Sequence, residues 1–270
     1  MSDFKVETRV RRVEPAPPRI SGHRSGGRFE PPREGARFED AHLENVDFSG
    51  LRIALFTAVG STFERCDFSR SVIQGSLSGW PRSVYRDCRF DRADLHNAGP
   101  DSGRFERCSF ERAKLDHWRS WSADFIECRF AGRLRDVEFR GVAPFLPPKG
   151  PVPENIRPFV TSEPSPNDFR GNDFRNTDLD IVEFIKIDLE AQLWPDNPDL
   201  VRLDVRPETI DMAERAAEQL APSERARAQW MLGWLRGRYA GQAEVLFRRR
   251  ENSMFTLYME LLSRAQGTRH

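Results

Sequence analysis

The sequence lacks long apolar runs and any excess of charge of one sign. No segment approaches the ~18 consecutive apolar residues of a membrane-spanning helix, and the N-terminal residues lack the apolar core of a signal peptide. Acidic and basic residues balance at 42 each, which removes any global attraction to nucleic acid or anionic membranes. We therefore expect a cytoplasmic protein that has no membrane partner and does not bind nucleic acid directly.

The sequence also lacks the motifs of the common active sites. None of the five histidines lies in a zinc-protease frame, and no nucleophile elbow or glycine-rich phosphate loop is present. The many acidic pairs occupy positions that we interpret as a solvated face. We expect no enzyme activity and no cofactor; an enzyme would need a pocket that the sequence does not reveal.

Cysteine is scarce, and the four cysteines are regularly spaced. They follow one another at intervals of 22, 20 and 20 residues, each with an aromatic residue three positions before and a Phe two positions after. A structural zinc site normally has paired ligands two to four residues apart, so the spacing disfavours a metal site, and disulfides fit it poorly. A repeat of about twenty residues indicates a solenoid. The cysteines are Cys66, Cys88, Cys108 and Cys128.

Within each unit, large apolar residues recur every five positions, with a small or slender residue two positions before most of them. A period of five matches neither a helix nor a plain strand. It is typical of a chain that turns a corner every five residues, so that twenty residues close a four-sided coil. The cysteines would then stack as a structural ladder of small inward hydrophobes, about one strand spacing apart.

These units resemble the pentapeptide-repeat family, in which a small residue is followed by Asp or Asn, by Leu or Phe, and by two polar residues. The matching pairs of small and large residues include Ala41 and Leu43, Val46 and Phe48, Cys66 and Phe68, Ala93 and Leu95, and Ala113 and Leu115. The resemblance covers about 36–142 and resumes at 167–191. It implies a mainly β fold, a right-handed quadrilateral β-helix.

The remaining segments give the domain organisation. Residues 1–35 are rich in Arg and Pro and are predicted to form an N-terminal arm, with a short strand near Phe4 to Val13. An insertion of two residues near Ser78 to Tyr85 accounts for the 22-residue interval and suggests a bulged corner. Residues 143–166 contain eight prolines and are predicted to leave the coil, because proline removes donors from a ladder. Residues 167–191 form the last coil.

From Pro207 the apolar period becomes helical, and the pattern predicts a small α-helical C-terminal module at 207–265. The expected helices span about 208–220, 223–239 and 242–265. Their apolar stripes are wide, so we expect burial against each other, against the end of the coil, or against a second copy as a homodimer. The residues proposed for such association are Trp230, Trp234, Phe255, Tyr258, Leu261 and Leu262.

Two further surfaces are candidates for partner binding. The fourth face of the coil breaks the five-residue rule, and Trp80, Trp118 and Trp121 lie near it. Three alternatives are open: bulky side chains brace that face, another segment covers it, or it forms an aromatic contact patch. The run Arg248, Arg249 and Arg250 is either a solvated helix face or a contact to phosphate or to an acidic partner.

Two functions follow from these observations. The first is a non-catalytic protein-binding scaffold, a rigid β-helical rod with a helical association module. The second is implied by the resemblance: some family members mimic DNA, modulate DNA gyrase or topoisomerase IV and confer resistance to poisons such as quinolones. Such a mimic needs acidic residues on one face. Residues 36–141 hold 17 acidic and 17 basic residues, whereas the coil at 167–191 carries a net charge of −4.

Overall fold

The computed structural model of the protein describes residues 16–79, 81–142, 166–249 and 254–267. Within these described residues, the β-helix contains fourteen strands, and a two-stranded ribbon and three helices follow it. The strands of the β-helix are β1 Arg19–Ser25, β2 Ala36–Glu44, β3 Arg52–Val59, β4 Thr62–Glu64, β5 Val72–Ser76, β6 Val84–Arg86, β7 Asp94–Gly99, β8 Arg104–Glu106, β9 Ser109–Glu111, β10 Arg119–Ser120, β11 Asp124–Ile126, β12 Arg129–Arg140, β13 Phe169–Arg170 and β14 Asp173–Ile185. The ribbon is β15 Leu200–Asp204 with β16 Glu244–Arg248, and the helices are α1 Pro207–Ala217, α2 Pro222–Arg238 and α3 Met254–Gly267.

The chain winds as a four-sided coil of about six turns, in which each strand pairs in parallel with the strand one turn away. In β4, β6 and β8, for example, Phe63 pairs with Tyr85 and Tyr85 with Phe105. Because the repeat places one large inward side chain on each side, the same position stacks on itself from coil to coil. The predicted β-helix with a helical C-terminal module is confirmed.

Aromatic side chains fill the interior as stacked columns. Phe68, Phe90 and Phe110 lie nearly parallel, with ring centroids 4.8 and 5.0 Å apart. Phe63, Tyr85, Phe105 and Phe125 form a second column with centroid separations of 4.7 to 5.0 Å. These spacings equal the separation of neighbouring strands, so ladder hydrogen bonding and ring stacking are satisfied by the same geometry.

The cysteines form a ladder on one inner edge, where all four are buried and free. Each thiol donates a hydrogen bond to a carbonyl of the preceding coil; Cys108 donates to Tyr85 O at 3.3 Å. After Cys128 the same register holds Asn172 and Gln192. The Asn172 Oδ1 accepts from Cys128 N at 3.0 Å, and Gln192 Oε1 accepts from Asn172 N at 3.0 Å. Side-chain amides therefore continue the ladder in the last coils.

The corners of the coil use left-handed backbone. Non-glycine residues such as Arg70 (φ 58°), Arg92 (φ 59°) and Arg112 (φ 57°) occupy this region, which disfavours residues with a Cβ. The insertion near Ser78 is accommodated at a corner, where the Tyr85 hydroxyl donates a hydrogen bond to Leu77 O. This buried contact anchors the widened turn.

The first coil begins earlier than expected. Strand β1 pairs in parallel with β2, and Phe29 is buried on the core column beneath Phe48. Part of the range assigned to the N-terminal arm is therefore the first turn of the β-helix, which the low apolar content of residues 19–28 concealed. The short strand expected at Phe4 to Val13 and the proline-rich segment at 143–165 lie outside the described residues.

The third helix was predicted with the wrong start. Residues Glu244–Arg248 form β16, which pairs antiparallel with β15, and the helix begins at Met254. Val245 and Phe247 are buried in the module, whereas Leu246 packs into the core of the β-helix. Alternate residues thus face two different cores, and this two-sided burial gave the segment an apolar density that resembled a helix. The first two predicted helices correspond to α1 and α2.

The C-terminal module makes direct side-chain contacts with the last coils of the β-helix. Gln242 Nε2 donates to Phe184 O at 3.1 Å, and Gln242 Oε1 accepts from Lys186 N at 2.6 Å. Arg238 on α2 binds Glu138 of β12 and Glu183 of β14. These contacts join the module to two successive coils.

Candidate functional site: an arginine corner on the β-helix

The stacked core leaves the outer surface as the place where binding can occur. The cysteines belong to this core: burial raises the pKa of Cys88, Cys108 and Cys128 well above the usual thiol value. These three thiols have the environment of inert packing residues, whereas a hydrogen bond with Cys88 lowers the pKa of Cys66. No group of three or more potential metal ligands occurs within residues 16–79, 81–142, 166–249 and 254–267.

Of the three tryptophans expected near the fourth face, Trp118 is not on the surface. Trp118 is buried, packs against Phe110 with a centroid distance of 5.9 Å, and donates its indole N–H to Leu95 O at 2.9 Å. It braces the interior and cannot contact a partner. Trp121 is 40% exposed, and Trp80 lies outside the described residues.

The residues proposed for association are mostly used inside the C-terminal module. Tyr258 and Leu261 are fully buried there, and Trp234, Phe255 and Leu262 pack against the same core. The Tyr258 hydroxyl donates to Asp204 O at 2.7 Å. Trp230 differs, because it is 64% exposed on α2.

The three arginines of the predicted run do not share one environment. Arg248 lies at the end of β16 and forms an ion pair with Asp178 of β14 at 2.7 Å. Arg249 is exposed and donates its backbone N–H to Asp199 O at 2.7 Å, and Arg250 lies outside the described residues. Arg248 therefore helps to hold the module on the β-helix, and neither Arg248 nor Arg249 lies on a helix.

A different set of arginines forms the most distinctive surface feature, which we call the arginine corner: Arg70, Arg92 and Arg112. Arg70 N donates to Asp91 O at 2.9 Å, Arg92 N to Glu111 O at 2.8 Å, and Arg112 N to Ala131 O at 2.7 Å. These bonds place the three residues above one another on successive coils, about 4.8 Å apart along the axis. Glycines occupy the same corner on either side, at Gly50 and Gly132.

The positive charges of the arginine corner are not neutralised by ion pairs with described residues. All three side chains are exposed, and none forms an ion pair or side-chain hydrogen bond with another described residue. The neighbouring corner shows the contrast, because there the charges alternate in sign. Arg107 donates two hydrogen bonds to Asp87, at 2.8 and 3.0 Å, and the Arg107 guanidinium lowers the pKa of that carboxyl.

The arginine corner borders a groove of about 710 Å³ on the adjacent face. The carboxylates in this groove already have partners: Asp91 accepts from Glu111 N at 3.0 Å, and Glu111 pairs with Arg129 at 3.2 Å. The Ser69 hydroxyl oxygen is buried and has no hydrogen-bond partner. The groove therefore offers three cations that have no ion-pair partner among the described residues. Its lining residues are Arg28, Ser49, Gly50, Asp67, Ser69, Arg70, Arg89, Asp91, Arg92, Glu111 and Arg112.

Sequence reasoning missed this corner although a signal was present. Each arginine lies two residues after the Phe of a repeat, as in Phe68 and Arg70, so the three share one register. The balanced charge of the coils concealed them, because the total says nothing about which positions carry each sign.

Comparison with known proteins gives only distant similarities. Solved structures of QnrB1, a plasmid-mediated fluoroquinolone resistance protein, are 16% identical in sequence to this chain, both in a trypsin-treated form and in the full-length form. The treated form aligns over 65% of this chain and 79% of its own with a TM-score of 0.27, and the full-length form over 66% and 82% with 0.23. HetL, a pentapeptide repeat protein involved in heterocyst differentiation regulation from the cyanobacterium Nostoc sp. strain PCC 7120, is 12% identical over 66% of this chain and 87% of its own, with a TM-score of 0.16.

At these scores the alignments carry no argument about function. No protein-family model matches the sequence, and no curated protein matches it. Among the described residues, no helix has both the length and the apolar character needed to cross a bilayer.

The fold class follows from the sequence and the structure of the chain itself. Its five-residue pattern, its parallel ladders and its stacked inward columns define a four-sided β-helix built from repeats, to which a small helical module is attached. Small residues stack at one inward position and Phe or Leu at the next, in the register that the repeat predicts. The chain therefore has the four-sided β-helix fold that its resemblance to the pentapeptide-repeat family implied.

Proposed function

We propose that this repeat protein is a non-catalytic scaffold that binds a partner protein along the outside of its β-helix. The observation that carries the proposal is the arginine corner. Like charges repeated on neighbouring strands repel one another, yet the chain retains three of them without an acidic partner among the described residues. A bound partner would remove that repulsion.

The build of the β-helix supports this role. Every coil is held by parallel backbone hydrogen bonds and by stacked rings, such as Phe90 against Phe110. A surface carried on such a framework is ordered before binding, so little conformational entropy is lost on association. The arginine guanidinium is also suited to recognising carboxylates through paired hydrogen bonds.

The homodimer expected from the sequence remains a prediction. Most of the residues named for it are occupied by the core of the C-terminal module, which leaves Trp230 as the exposed member. A contact between copies would therefore use α2 near Trp230. Light scattering of the purified protein tests this: a dimer mass that falls to a monomer mass in Trp230→Ala supports it, and a monomer at all concentrations contradicts it.

The resemblance also implies a second function, DNA mimicry directed at a type II topoisomerase. The described residues do not favour it, because the acidic side chains of the last coil are largely paired with arginines. Asp178 pairs with Arg248 at 2.7 Å, and Asp180 with Arg133 at 2.6 Å. A gyrase supercoiling assay decides: inhibition or protection by the purified protein would favour mimicry.

The scaffold proposal is tested by affinity capture from the native host with the full-length protein. We expect one protein, identified by mass spectrometry, to be enriched over an unrelated bait of equal charge and to bind again when purified. If no purified candidate binds directly, the scaffold proposal fails.

A further inference from the structure

We propose that the arginine corner binds an acidic α-helix of the partner, laid parallel to the axis of the β-helix. This inference rests on the proposed scaffold function and specifies the chemistry of its partner. It depends on the spacing, charge and surroundings of Arg70, Arg92 and Arg112, which no predicted site included.

Spacing selects a helix over other anionic ligands. The three arginines repeat at about 4.8 Å, so the outer two are about 9.6 Å apart along the axis. An α-helix rises 1.5 Å per residue, so that carboxylates at i, i+3 and i+7 lie at ~0, ~4.5 and ~10.5 Å on one face. An extended strand repeats its side chains on one face every ~6.6 Å and loses register after the first pair.

The charge of the groove disfavours nucleic acid. Its lining holds five arginines and three carboxylates, a net of +2, because Arg28, Arg70, Arg89, Arg92 and Arg112 face Asp67, Asp91 and Glu111. Duplex DNA carries one negative charge per ~1.7 Å of axis, and a phosphate backbone on this face would meet carboxylates as well as arginines. A helix with a single row of acidic side chains can place its negative charge on the corner and neutral side chains over the groove.

The groove provides complementary contacts for such a helix. Ser69 lies on the same coil as Asp67 and Arg70, and its hydroxyl oxygen is buried, so the contacts to such a helix come from the exposed arginine side chains. Glycine at the corner on either side, Gly50 and Gly132, leaves the ends of the arginine row without neighbouring side chains. The arginine corner is thus a site of three stacked arginines with a glycine at each end.

The probe for the test is a synthetic helical peptide with Glu at i, i+3 and i+7 on one face. A second peptide has the same composition but distributes the Glu residues around the helix. We expect the full-length protein to bind the first peptide at least about tenfold more tightly, with an affinity that falls as salt is raised. Equal binding of the two peptides overturns the inference.

The variant that removes the site is Arg70→Asn, Arg92→Asn and Arg112→Asn together, because Asn tolerates the left-handed backbone of the corner. The matched control is Arg135→Gln, Arg215→Gln and Arg227→Gln, which removes the same charge from exposed positions elsewhere. We expect the Asn triple variant to lose at least about tenfold in peptide affinity and the control to bind like the parent protein. Circular dichroism of each variant establishes that it is folded.

Two results separate the failure of this inference from that of the scaffold. If the Asn triple variant binds the peptide as well as the parent does, the acidic-helix inference is wrong, and the scaffold still stands if a purified host protein binds. If a duplex DNA of equal charge displaces the peptide and binds more tightly, the corner is a nucleic-acid surface instead. Loss of peptide binding in the Asn triple variant alone supports the inference.

Discussion

At the scale of single residues, stability comes from side chains that repeat one contact up the coil. Phe90 stacks between Phe68 and Phe110, with centroid distances of 4.8 and 5.0 Å, and is fully buried. Its removal would leave a cavity bounded by rings that are themselves fixed by the backbone ladder. Collapse into that cavity is restricted, because the coil spacing cannot shorten.

Phe90→Ala is therefore expected to lower the free energy of unfolding by ~3–5 kcal/mol. Urea denaturation followed by circular dichroism measures this as a lower midpoint. Arg52→Ala, an exposed substitution on a neighbouring strand, should change stability by no more than ~0.5 kcal/mol. Equal effects of the two substitutions would contradict the account of the aromatic column.

A second residue-scale prediction concerns the widened corner. The Tyr85 ring stacks between Phe63 and Phe105, and its hydroxyl donates to the buried Leu77 O. Tyr85→Phe preserves the stack and removes only the hydroxyl, which leaves that carbonyl without its side-chain donor. We expect Tyr85→Phe to lower the free energy of unfolding by ~1–2 kcal/mol. Urea denaturation measures this loss, with Phe105→Tyr as a volume control. An unchanged midpoint in Tyr85→Phe would show that the hydroxyl does not anchor the turn.

At the scale of elements, the structure joins two different architectures through charge and through the packing of one strand against the module. Strand β14 pairs with β12 inside the β-helix and also contacts β16 of the module. Arg238 bridges the two units, with Nη2 2.7 Å from Glu138 Oε2 and Nε 3.0 Å from Glu183 Oε2. The junction is therefore as structured as the elements that it connects.

Arg238→Ala should loosen the module, because it leaves the largely buried Glu138 with Arg140 as its remaining cation. We expect a loss of ~1–2 kcal/mol, seen as faster hydrogen exchange in α1, α2 and α3 while the β-helix is unchanged. Arg236→Ala is the control: Arg236 pairs with Asp211 and Glu214 within the module and is more exposed, so its loss should cost less than ~1 kcal/mol.

At the scale of the whole molecule, equal numbers of opposite charges are arranged in two ways. Most form short-range pairs along the coils, whereas the arginine corner collects one sign. The pairs make the stability of the β-helix sensitive to acid. Hydrogen bonds from Arg107, His117 and Arg175 lower the pKa of Asp87, Asp136 and Asp173, respectively, below the ordinary value of 3.8.

Carboxyls with lowered pKa contribute stability that is complete above the unfolded value and is lost as pH falls through the folded value. We therefore expect the urea midpoint to change little between about pH 7 and about pH 5 on their account, and to fall below about pH 4. Asp87→Asn should reduce this acid sensitivity, since the Asn cannot titrate. A midpoint that stays constant down to about pH 3 would contradict the prediction.

Sequence periodicity predicted the β-helix because every coil buries the same positions. The same logic failed where a segment faces two cores: residues 244–248 alternate between the β-helix and the module, and their apolar density resembled a helix. It also missed β1, whose exposed side chains carry no inward pattern. Periodicity therefore predicts only elements whose burial follows one repeating rule.

The amino-acid sequence by itself determined the winding of the chain, because side-chain size at every fifth position dictates what can stack inside a coil. Only the tertiary structure decided which individual polar and aromatic residues are buried, paired or exposed. It buried Trp118 against Phe110 and paired Arg248 with Asp178. It also left Arg70, Arg92 and Arg112 on one corner, since a charge gains or lacks a partner only through neighbours that are distant in sequence.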